Sequence, residues 1–78
     1  MQKEEDEIQQ MSEEARDCKL KAEQGDALDQ YNYAVILFNG DGVSRNLPEA
    51  ARYFKLAADQ GHSDAAKRLD ELLTEKKI

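Results

Sequence analysis

Apolar positions recur along this chain at intervals of three and four, a spacing that predicts four helices. Ile8, Met11, Ala15, Cys18 and Ala22 fall on one stripe. Ser12 is a candidate cap for this first helix, although the reach of the stripe back to Ile8 allows an earlier start. Gly25 ends it, because closing the last turn takes a left-handed residue and glycine has no Cβ to clash there. Asp26 is placed to cap a second helix, with Asp29 at its third position as a weak capping box. Leu28, Tyr31, Val35 and Phe38 form one stripe of that helix; Tyr33 and Leu37, with small Ala34 beside them, form another. A helix apolar on two faces lies between neighbours. The β-branched pair Val35-Ile36 does not make a strand, since the helical spacing runs across it and strict alternation is absent.

Asn39-Gly40 closes the second helix and Gly40-Asp41-Gly42-Val43 forms a tight turn. Asn46 and Glu49 are spaced as a capping box for a third helix, with Pro48 in the first turn, where no backbone donor is missed. A residue before proline resists helical angles, which makes Leu47 a candidate for the last non-helical position. Ala50, Phe54, Ala57 and Ala58 make its inward face, and Gly61 closes it as Gly25 closes the first. His62 or Ser63 caps a fourth helix. There Ala65, Ala66, Leu69, Leu72 and Leu73 are expected to face the core, and Lys76-Lys77 suit the C-terminal end of the helix dipole.

The chain repeats itself. Lys21-Ala22-Glu23-Gln24-Gly25 returns thirty-six residues later as Ala57-Ala58-Asp59-Gln60-Gly61. At the same offset Ala15 meets Ala51, Arg16 meets Arg52, Lys19 meets Lys55 and Leu20 meets Leu56; beyond the glycines, Asp29 meets Ala65, Tyr33 meets Leu69 and Leu37 meets Leu73. Self-similarity at such a period is the mark of a solenoid built from helix pairs. The expectation is one all-α domain over 1–78: helix B of a partial repeat at 12–25, a complete helix A/helix B repeat at 26–61, and helix A of a following partial repeat at 62–77. Antiparallel pairs of this kind stack as a short right-handed superhelix.

Four stretches carry a resemblance to a known family: Ala22-Glu23-Gln24-Gly25-Asp26-Ala27, Gln30-Tyr31-Asn32-Tyr33-Ala34, Asn39-Gly40-Asp41-Gly42-Val43, and the run from Glu49 through Ala57-Ala58-Asp59-Gln60-Gly61. Together they resemble the Sel1-like repeat, a relative of the tetratricopeptide repeat, over about residues 12 to 73. The resemblance implies that Tyr33, Ala34 and Leu37 pack on the A helix, and that Ala50, Ala51, Tyr53 and Ala57 lie at the signature positions of the B helix. Ala34 stands where the family usually has glycine. Asp29 stands where it usually has alanine, and a carboxylate at a close helix contact is costly unless it faces water or finds a donor. The resemblance also implies an adaptor or scaffold role. Some cysteine-rich members are linked to β-lactam chemistry, but Cys18 alone lacks their paired bridges.

Composition narrows the rest. The chain has 78 residues, with three tyrosines, two phenylalanines and no tryptophan. Such a core comes mainly from aliphatic side chains and alanine. The net charge of −6 sits at the front: residues 1–30 hold ten acidic and four basic side chains, residues 31–78 seven of each. An acidic chain without a basic stripe argues against nucleic acid and anionic membrane as partners. The acidic run Glu4-Glu5-Asp6-Glu7 reads as a solvated end. One cysteine, a polar start without signal-peptide character and no apolar run long enough to cross a bilayer lead to the expectation of a cytoplasmic protein.

Candidate chemistry is thin. His62 has no poised nucleophile or orienting partner in the sequence, and the carboxylates lack metal-ligand spacing. Gly40-x-Gly42 lacks the strand, the further glycines and the lysine of a phosphate loop. Asp26, Asp41 and Asp59 do not make the calcium-loop pattern. No cofactor, no metal and no catalytic activity are expected. The remaining class is protein binding: another protein or a peptide held on the A-helix side, with Gln30, Tyr31 and Asn32 of the second helix and Lys67 and Arg68 of the fourth as contact residues. The alternative is a terminal piece of a longer array, or a unit that associates with itself through apolar end faces.

Overall fold

A computed structural model describes residues 11–75, which form four helices: α1 (Glu13–Glu23), α2 (Ala27–Asn39), α3 (Leu47–Asp59) and α4 (Ser63–Glu75). No strand occurs among the described residues. Ile8, the acidic run at 4–7 and the Lys76-Lys77 pair lie outside them. Each helix packs on the next in sequence, α1 on α2, α2 on α3 and α3 on α4.

The helix starts follow the capping chemistry read from the sequence. Ser12 accepts from the backbone N–H of Ala15 through Oγ at 3.1 Å, and Asp26 accepts from that of Asp29 at 3.2 Å. Asn46 accepts from that of Glu49 at 3.0 Å, and its carbonyl accepts from Ala50. These bonds make Asn46 the cap and Leu47 the first helical residue, one position earlier than proline sterics suggested. Between His62 and Ser63 the structure selects His62, whose Nδ1 accepts from the N–H of Ala65 at 3.1 Å.

Gly42 joins two turns of the stack. The Ser12 N–H donates to the Gly42 carbonyl at 3.0 Å, which ties the start of α1 to the link between α2 and α3. Gly42 has φ of +79°, and a Cβ there would overlap the Ser12 side chain. Both the angle and the space therefore require glycine.

Alanine sets the helix spacing. Ala15, Ala34, Ala50, Ala57 and Ala65 are fully buried and let backbones approach closely. Phe54, the largest fully buried side chain, fills the middle of the stack. Tyr33 and Tyr53 meet edge to face at 5.0 Å between ring centres. Tyr53 was absent from the inward face expected of α3 by spacing alone; the Arg52 guanidinium covers its ring at 4.6 Å.

Two expectations for α4 need correction. Ala65 is buried and Leu69 and Leu72 are half-buried, but Ala66 is exposed and Leu73 is 55% exposed. α4 packs mainly on α3, and no following helix covers Ala66 and Leu73 among the described residues. Asp29 is half-buried, so its carboxylate keeps part of its surface in water and avoids the full desolvation cost.

Candidate protein-binding groove

Alternate helices of the stack, α2 and α4, flank a groove of about 290 Å³ with α3 behind it. Val35 and Phe38 come from α2, Leu72 from α4 and Phe54 from α3, and these give the lining its apolar part. Asn39, Arg68 and Glu71 supply its polar atoms. A second, shallower hollow of about 360 Å³ adjoins it toward α1 and takes in Cys18, Tyr31 and Asn32. Val35 and Arg68 line both.

Tyr31 is fixed by an aromatic ladder. Its ring stacks on His62 at 4.6 Å with 19° between planes, and leans on Phe54 at 5.7 Å and 59°. The neighbouring Tyr31 phenol is the first influence that raises the pKa of Arg68 above its ordinary value. Arg68 lines both hollows while remaining open to solvent. Glu71, at 3.8 Å from the Arg68 Nη1, is a loose second neighbour.

The five contact residues expected from the sequence separate into three groups. Tyr31, Asn32 and Arg68 come together on the groove side. Lys67 is exposed and lies outside both hollows. Gln30 must be withdrawn as a surface residue, because it is only 4% exposed. Its Nε2 donates to the Ala22 carbonyl at 3.1 Å, and its Oε1 accepts from Gln60 Nε2 at 2.9 Å. An amide enclosed by three helices is stable there because both of its ends are paired.

Val35, Phe38, Phe54 and Leu72 were not assigned to the site from sequence. The signal was present in the Leu28, Tyr31, Val35 and Phe38 stripe of α2, which looked like a sandwiched core face. In the structure that face meets α4 incompletely and leaves the groove.

The Nδ1 of His62 is occupied as a helix cap, and no cluster that could hold a metal occurs among the described residues. The Cys18 thiol is pushed up from its ordinary pKa, first by burial and then by the Asp29 charge, which opposes the reactive thiolate. No described helix is long and apolar enough to cross a membrane.

No curated protein and no solved structure matches the chain. A family model does: the Sel1 repeat matches residues 27–62, from the first residue of α2 to the residue that caps α4. Repeats of this type are in general protein-interaction modules. Helix order, turn chemistry and the matched stretch agree that residues 27–62 form a Sel1 repeat.

Proposed function

We propose that this chain is an adaptor or scaffold module that holds a segment of another protein in the groove between α2 and α4, without chemistry of its own. The observation that carries the reading is the pairing of apolar side chains in the lining, Val35, Phe38, Phe54 and Leu72, with an exposed Arg68 that shares the adjoining hollow with Tyr31. An apolar side chain of the partner loses water in the hollow, while a carboxylate or backbone carbonyl beside it meets the guanidinium. The restrained Tyr31 ring loses little further conformational freedom on binding.

Capture from the native host tests the proposal, using the wild-type chain, Arg68→Glu and Val35→Asp. Each variant is first checked for native helix content. The expected result is a partner retained by the wild type and lost by both variants. A partner held equally by all three would place binding elsewhere on the molecule.

A further inference from the structure

The thirty-six-residue register makes the two ends of the stack unlike. In the middle of the molecule α3 turns Ala50, Tyr53 and Ala57 inward, all buried. Their counterparts in α1 are Glu14, Asp17 and Lys21, all exposed, with Lys21 Nζ 3.3 Å from an Asp17 carboxylate oxygen. This face of α1 is charged, contrary to the expectation of apolar faces at both ends.

α4 differs. On α2 the buried residues Gln30, Tyr33, Ala34 and Leu37 include the face that receives α3, as the Tyr33–Tyr53 and Gln30–Gln60 contacts show. Their counterparts on α4 are Ala66, Leu69, Asp70 and Leu73. Leu69 is half-buried and the other three are exposed. Apart from Asp70, α4 repeats the apolar surface on which α2 seats its following helix.

Asp70 identifies what can cover that surface. It stands in register with Ala34, which is fully buried, so an incoming helix packed as α3 packs on α2 would remove much of this carboxylate from water. An unpaired buried carboxylate is strongly unfavourable, and a cation with hydrogen-bonding capacity offsets the loss. A second copy of this chain does not supply one. A two-fold contact centred between Leu69 and Leu73 would bring the two Asp70 carboxylates together. A head-to-tail contact would lay Glu14 and Asp17 of α1 on Leu69 and Leu73.

We propose that the outer face of α4 receives a partner helix of the α3 kind, with small residues flanking an aromatic, that carries a basic residue opposite Asp70. This surface lies apart from the groove between α2 and α4, and the inference does not depend on the groove being occupied.

The test uses a synthetic helix-stabilised peptide of residues 46–61 and a second form carrying Ala50→Lys, each titrated into the isotope-labelled full chain and followed by NMR. Ala50 is chosen because the antiparallel contacts of Gln30 with Gln60 and of Tyr33 with Tyr53 place the residues just before Tyr53 alongside Ala34. Resonances of Leu69, Asp70 and Leu73 are expected to shift, with the lysine form binding at least about fivefold more tightly. Asp70→Ala should reverse that preference, and Leu73→Glu should weaken both peptides by about tenfold or more with the fold intact. Absence of shifts on this face, shifts confined to the groove, or equal affinity of the two peptides that Asp70→Ala leaves equal would each overturn the proposal.

Discussion

Gln60 reaches across thirty positions of sequence to donate its side-chain amide to Gln30, 2.9 Å away inside the stack. Gln30 passes the connection on to the Ala22 carbonyl at 3.1 Å. The last turn of α1, the first of α2 and the end of α3 are joined by one buried side chain.

Replacing Gln30 with leucine keeps most of the volume and removes both bonds. The expected loss is about 1.5 to 2 kcal/mol for the two bonds, since the Ala22 carbonyl keeps the Gly25 N–H and the exposed Gln60 amide turns to water. Gln60→Ala should cost less, about 1 kcal/mol, since Gln60 itself is exposed and only one bond is broken. Urea denaturation of the two variants checks the order; equal losses would show that the hub contributes little.

Phe54→Ala removes the largest fully buried side chain and one support of the Tyr31 ring. A loss of about 3 to 5 kcal/mol is expected, enough to unfold a large share of molecules of so small a domain. Circular dichroism melting reads it. A loss under about 1 kcal/mol would contradict the burial described for this position.

Gly42→Ala and Gly25→Ala separate two demands on glycine. Both positions have positive φ, +79° and +102°, but a Cβ at Gly25 meets nothing within 4 Å while one at Gly42 runs into Ser12. Gly25→Ala should cost about 1 to 2 kcal/mol from the backbone alone. Gly42→Ala should cost more and disturb the cap of α1 as well. Denaturation midpoints, with amide exchange at Ala15 as a local readout, distinguish the two.

Alkaline pH should weaken the fold through Tyr33. Burial raises its pKa from 10.0 to about 12, so between those values the unfolded chain has released a proton that the folded chain keeps. The stabilisation is complete below pH 10 and is lost as pH rises toward about 12. Tyr33→Phe should flatten this part of the stability profile, as measured by urea denaturation at stepped pH. An unchanged slope would assign the loss to other groups.

Local signals made most of this architecture legible. Ser12, Asp26 and Asn46 cap where their side chains predict, since a cap depends on three or four consecutive residues. Fit between helices was harder to read. Gln30 looked like a surface amide because its partners lie eight and thirty residues away. Leu73 looked like core because its repeat counterpart Leu37 is buried, and periodicity does not say whether a neighbour is present to cover it. The groove was half legible: Tyr31, Asn32 and Arg68 were picked for polarity and exposure, whereas its apolar lining resembles core until the gap between α2 and α4 is seen.

The tie between Ser12 and Gly42 closes a loop of thirty residues, and no hydrogen bond among the described residues spans a longer one. The search for native contacts is therefore short-ranged throughout. Doubling a loop adds only about 0.6 kcal/mol to its closure, but this chain does not need to close even one long loop before apolar contacts begin to form. Low contact order of this kind belongs to folding in microseconds to milliseconds. Refolding should then outpace any slow association with a partner, and binding would select among molecules that are already folded.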